Sequence, residues 1–249
     1  MREFDDSTLW RLSGFNRVRL DTGTSGFARL GAATVLPTTL LADLRRLDAD
    51  PTSNDVLEVV AACVRHREGA LLCLQHEGLV WPVTVFPVQQ LYHCPRPLLN
   101  VQGDGADRLT VLTTEPPGVR PPGHWMHERV AQAEHYRPLL PLLWLMALQG
   151  PRATLLGEIA GTAAYRATRR PADDGLVVAG ALSSAAERLR RETVALKVIA
   201  GWPGMSVERA SRLLNGLYLV SGLLVTRAHP AARAEPVSWR DRLGGPKVR

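Results

Sequence analysis

Apolar residues recur along the chain with two different periods, and the changes from one to the other outline its elements. Over residues 38–47, Leu40, Leu41, Leu44 and Leu47 return every three or four positions, and Thr38 or Thr39 is placed to cap, which predicts a short helix. Residues 55–67 predict a second helix, with Asn54 or Asp55 as its cap and Val56, Val59, Val60 and Cys63 on one stripe. Strands follow at 70–75 and 79–86, parted by the hairpin-like turn His76-Glu77-Gly78. Pro82 lacks an amide donor, so the second strand is expected to lie at an edge or to be bulged. Nearer the N-terminus, residues 17–20 and 27–30 read as strands around the turn-rich stretch Asp21-Thr22-Gly23-Thr24-Ser25-Gly26, which predicts another hairpin.

Residues 115–123, Glu-Pro-Pro-Gly-Val-Arg-Pro-Pro-Gly, cannot continue a helix or a strand, because each proline fixes φ and removes a donor. They read as a linker between a mixed α+β domain at 1–114 and a helical domain at 124–227. Helices are predicted at 127–136, 139–149 and 153–168, broken at Pro138 and at Gly150-Pro151, with a polar break at 169–175. The run at 139–148 is about half the roughly 20 residues a membrane helix needs, and Pro141 interrupts it, so it reads as a core helix. Residues 228–249 read as a flexible basic tail.

The last part of the helical half has its own signature. Ser184-Ala185-Ala186-Glu187 fits a capping box, and a short second helix is expected over 194–200 behind Thr193. Gly201-Trp202-Pro203-Gly204 then forces a turn, and a third helix opens after Ser206. Val207, Ala210, Leu214, Leu217 and Tyr218 form its main apolar stripe, while Leu213, Leu219 and Val220 add apolar surface outside it and imply contacts on more than one side. Gly222 is placed to take a left-handed cap, and residues 223–227 read as a strand. Helix, helix, turn, helix and strand over residues 184–227 resemble the winged-helix pattern, and are similar to the helical subdomain of PATAN-type bacterial signalling domains. The resemblance implies an α+β protein that ends in a winged-helix-like unit, presenting Arg209, Arg212, Asn215 and Arg227 to a partner.

Charge narrows the kind of partner. Residues 1–135 hold 13 basic and 16 acidic side chains, whereas 136–249 hold 17 and 8, so the C-terminal half carries the positive field. Such a field favours an anionic surface, either an acidic protein or nucleic acid. Glu208 at the leading end of the third helix would approach phosphates and opposes the second choice. The expectation is therefore a non-enzymatic regulatory or adaptor protein that docks a protein partner with an acidic surface, with a DNA-binding regulator as the alternative and no membrane contact. The opening Met-Arg-Glu-Phe-Asp-Asp lacks the basic start and apolar stretch of a secretory signal, and three cysteines make no disulfide framework, so a cytoplasmic location is expected.

Site chemistry is sparse. All three cysteines and six of the seven histidines fall between 63 and 135. Cys63, His66, Cys73, His76, His93 and Cys94 are therefore zinc-ligand candidates, since thiolate and imidazole hold structural zinc. Their spacing matches no standard finger, and the strand places Cys73 and His76 on opposite faces. The favoured reading is buried thiols and surface histidines, with no cofactor. His124, His127, Glu128 and His135 lack the four-residue histidine spacing of a metalloprotease helix. The phosphate-loop, dinucleotide and nucleophile-elbow glycine motifs do not occur, and Gly23-Thr24-Ser25-Gly26 is explained by a turn. Asp5-Asp6 and Asp173-Asp174 read as surface charge.

Overall fold

The computed structural model describes residues 9–23, 35–48, 55–98, 106–126 and 130–232. The chain is an α+β protein with two antiparallel sheets. The larger sheet contains β1 (Trp10–Arg11), β2 (Ala70–His76), β3 (Leu79–Phe86), β4 (Leu91–His93), β5 (Thr110–Glu115) and β6 (Tyr136–Pro138). Its order is β5-β2-β3-β4-β6, with β1 also paired to β3. The smaller sheet is β8-β7-β9, built from β7 (Ala164–Ala167), β8 (Val194–Ala195) and β9 (Leu223–Thr226). Around them pack α1 (Leu12–Thr22), α2 (Thr38–Asp48), α3 (Val56–His66), α4 (Leu139–Gln149), α5 (Ala181–Arg191), α6 (Leu196–Ala200) and α7 (Val207–Leu219).

The helices read at 38–47, 55–67 and 139–149 form within a residue or two of those bounds. Asp55 caps α3, its carboxylate accepting from the Leu57 amide at 2.9 Å. In α4, Pro141 falls in the first turn, where its missing donor costs no helical hydrogen bond. Glu77 and Gly78 both take positive φ and close the β2–β3 hairpin. Pro82 lies in a strand with pairs on both sides, yet it breaks no ladder. It faces Cys73 at a non-bonded position, and its nitrogen points to the gap that β1 and β4 leave on the other edge of β3.

Both faces of β2 are buried, which is why it reads as the unbroken apolar run Ala-Leu-Leu-Cys-Leu. Leu72 and Leu74 enter the main core, while Leu71 and Cys73 enter a smaller cluster with Phe15 and Val80. The main core runs from Leu36 to Val220 and includes residues on both sides of the proline-rich stretch. α4 packs on α3 from one half and on α7 from the other.

Several sequence expectations are corrected. Residues 17–20 belong to α1, because Gly23 at φ 70° ends a helix by the left-handed route instead of opening a hairpin; residues 27–30 and Thr24–Gly26 lie outside the described set. Residues 130–136 form a bridge, a 3-10 turn and the start of β6 where a helix was expected, and 127–129 are outside the described set. No helix covers 153–168. Its carbonyls at Thr154 and Leu155 accept from Arg152, Gly161 sits at φ 87°, and the segment ends as β7. Of the supposed tail, Pro230–Ala232 form a 3-10 turn with Ala232 buried, and the residues beyond lie outside the described set.

Candidate functional site

The C-terminal unit follows the predicted order, with β7 joining from upstream as the middle strand of its sheet. Its local chemistry differs from the sequence reading. α5 begins at Ala181 after Gly180, so Ser184 and Glu187 lie inside the helix and form no capping box. Glu187 instead pairs with Arg170 at 3.1 Å and with Arg190 at 3.4 Å. Thr193 caps nothing, because Val194 and Ala195 are drawn into β8 opposite Tyr165 and Ala164. Ser206 does cap α7, its hydroxyl accepting from the Arg209 amide at 3.1 Å. At the far end Ser221 takes the left-handed position expected of Gly222, whose amide donates to the Leu217 carbonyl at 2.7 Å.

α7 is a core helix. Ala210, Leu213, Leu214, Leu217 and Leu219 are buried, and α4, α5 and α6 all pack against it. Val207, expected on the buried stripe, is 60% exposed because the helix has only begun there. Gly216 admits the Trp144 ring of α4 so closely that a Cβ would lie 2.8 Å from its Cζ3.

The four predicted contact residues are not brought together. Asn215 is corrected outright: it is fully buried, accepting from the Leu156 amide and donating to the Thr154 carbonyl, both at 2.9 Å. Arg212 is mostly spent inside the molecule, donating to the Gly150 carbonyl at 2.7 Å and pairing with Glu208 at 2.9 Å. Arg227 is exposed and clamps the carbonyls of Glu158 and Ala160, each at 3.0 Å. Arg209 is exposed and donates to the Gly204 carbonyl at 2.5 Å. The open surface of the unit lies elsewhere: Val198, Val207 and Leu224 are exposed apolar groups, and Arg166, Arg191 and Lys197 are exposed cations.

The zinc candidates are dispersed, and among the described residues no three His, Cys, Asp or Glu side chains converge as a metal shell. Cys63 lies in the main core and Cys73 in the smaller cluster, on opposite faces of the sheet. Burial pushes the Cys63 and Cys94 thiols up to about 12, which makes them poor thiolate donors. The histidines correct the expectation of surface positions. His76, His93 and His135 are buried, and the rings of the last two meet edge to face at 5.8 Å. His124 accepts from the Met126 amide at 3.1 Å within its own turn.

A cleft of about 400 Å³ lies between α2, α3 and the loop after α4, lined by Asp43, Arg46, Leu47, Glu58, Arg65, Gly157 and Glu158. Ion pairs fill much of its wall. Asp43 accepts from Arg65 and meets His66, both at 2.6 Å, and Arg65 also pairs with Glu158. The His66 bond, foremost, holds the Asp43 carboxyl below its ordinary range. Next to the cleft, Arg152 joins Asp55 at 2.5 Å and Glu58 at 2.9 Å. These bonds tie the N-terminal helices to the C-terminal half, a clamp that sequence reasoning missed because its members lie about a hundred residues apart. Asp174 pairs with Arg169 at 3.3 Å, and Asp5-Asp6 lie outside the described residues.

Fold and surface together define an α+β protein whose C-terminal unit runs helix, helix, turn, helix and strand, with its third helix largely internal. Comparison with protein families, with curated proteins and with solved structures gave no match.

Proposed function

We propose that the chain is a non-enzymatic regulatory or adaptor protein that acts in the cytoplasm by docking another protein on its C-terminal unit. The observation that carries this reading is the burial of α7. A DNA-reading helix needs the face behind its N-terminal turn to enter the major groove, whereas α7 exposes only Val207, Glu208 and Arg209 before α4, α5 and α6 cover it, and its Asn215 is an internal latch. What the unit offers outward is Val198, Val207 and Leu224 among unburied cations. Isolated apolar groups with a basic surround suit a protein surface of apolar and acidic side chains. No helix among the described residues is long and apolar enough to cross a membrane.

The surplus of cations in residues 136–249 supports the DNA-binding alternative, and one titration separates the two. Duplex DNA is added to the full chain at low and at physiological salt. Docking to protein predicts weak association lost at physiological salt. A regulator would hold a specific duplex there, with an affinity that falls steeply with salt as phosphate contacts release counterions.

A further inference from the structure

Among the described residues the two sheets have five outer strands, and four are guarded; β1 is two residues long and runs directly into α1. β5 has a register break at Leu112, whose carbonyl accepts from the Arg19 guanidinium at 3.4 Å. β6 is three residues long and ends on Pro138, and β8 is two residues long and lies against Pro230–Ala232. Proline, bulges, short length and cover are the devices that keep an edge from pairing with foreign chains. β9, Leu-Leu-Val-Thr, has no proline, no charge and no bulge, and among the described residues pairs only with β7.

The phase of that ladder shows which backbone groups are open. The Thr168 amide donates to the Gly222 carbonyl at 2.9 Å, so the pairs Arg166–Leu224 and Ala164–Thr226 exchange hydrogen bonds. The amides and carbonyls of Leu223 and Val225 then point away from β7. None of these four groups has a hydrogen-bond partner among the described residues. The side chains of Leu223 and Val225 pack on the main core, and Leu224 stands on the opposite face, 50% exposed. Beside it on that face is Arg166, its register partner, and Arg227 follows the strand directly. Both arginines are exposed, and neither has a carboxylate partner among the described residues.

We propose that the outer edge of β9 accepts an extended, acidic segment of a protein partner as an added strand. Leu223 and Val225 would supply the backbone hydrogen bonds, Leu224 an apolar contact, and Arg166 and Arg227 the selection for carboxylates. β9 itself carries no carboxylate, so a second copy on this edge would leave the arginines unmatched where an acidic segment would meet them. The inference rests on the docking reading above and names where the partner binds.

A fluorescein-labelled ten-residue peptide of alternating valine and glutamate tests it by anisotropy against the full chain. Saturable binding is expected, at least about tenfold weaker for Val225→Pro, for Leu224→Glu and for a peptide with lysine in place of glutamate. In the free protein the amides of Leu223 and Val225 should exchange fast and those of Leu224 and Thr226 slowly, with the peptide slowing the first pair. Val225→Pro removes an outward donor and some packing, so its thermal midpoint is checked, while Leu224→Glu leaves the backbone intact. Absence of binding, equal binding by both variants, or slow exchange of Leu223 and Val225 in the free protein overturns the proposal. Capture from the native cell separates the two levels: a protein held equally by wild type and by Val225→Pro removes the edge but leaves the docking reading. Recovery of nothing by wild type removes both.

Discussion

Asn215 shows how one residue can exchange a surface role for an internal one. Its side-chain amide satisfies a donor at Leu156 and an acceptor at Thr154, in a segment that forms no helix and so has few ladder bonds of its own. Asn215→Ala would leave both groups buried and unpaired, and is expected to cost about 3 kcal/mol in urea unfolding. Replacement of an exposed arginine such as Arg209 should stay within about 0.5 kcal/mol. Asp43 makes a second residue-scale prediction. Its folded-state pKa is lowered by His66 and then by Arg65, so its contribution to stability is complete above the ordinary carboxylate range. That contribution is lost as pH falls through the lowered value. Urea midpoints measured from pH 7 down to pH 2 should therefore fall less steeply for Asp43→Asn than for wild type over the acid limb.

Among the elements, α7 and α4 form the contact on which the C-terminal unit is built, and Gly216 permits it. Gly216→Ala would press a methyl into the Trp144 ring. A loss of about 1–3 kcal/mol is expected, despite alanine's better helix propensity, and a chemical denaturation curve reads it directly. The periodic helices α2, α3 and α4 and the β2–β3 hairpin were legible because local pattern and tertiary demand agree there. Where they conflict, the sequence misleads. Gly23 serves equally as a hairpin signal and as a helix C-cap, and only the packing of Phe15 under the sheet decides for α1. Residues 153–168 have helical composition, but Arg152 and Asn215 take their carbonyls, and β9 recruits their end as β7. The open edge of β9 was not legible at all, because it depends on which strand pairs with which. The extra apolar surface on α7, by contrast, did signal that more than one of its sides is covered.

For the whole molecule, the proline-rich stretch marks a change in chain path while the core continues beneath it. Arg152 reinforces that continuity by holding Asp55 and Glu58 from the other half, with all three side chains about 15% exposed. Arg152→Ala would strand two mostly buried carboxylates and is expected to cost roughly 3 kcal/mol. Because the halves share one core, fluorescence and far-ultraviolet circular dichroism should still report a single coincident transition in that variant. The same continuity fixes what the C-terminal unit can present. With α7 held between α4, α5 and α6, the partner must meet the outer rim.

The most direct test is quantitative capture from the native cell with the full chain and with a variant combining Val198→Glu, Val207→Glu and Leu224→Glu. These side chains are exposed, so the thermal midpoint should be kept. A specific protein is expected to be recovered by wild type and depleted at least about tenfold by the variant. Equal recovery by both, or no protein above background, would overturn the docking role.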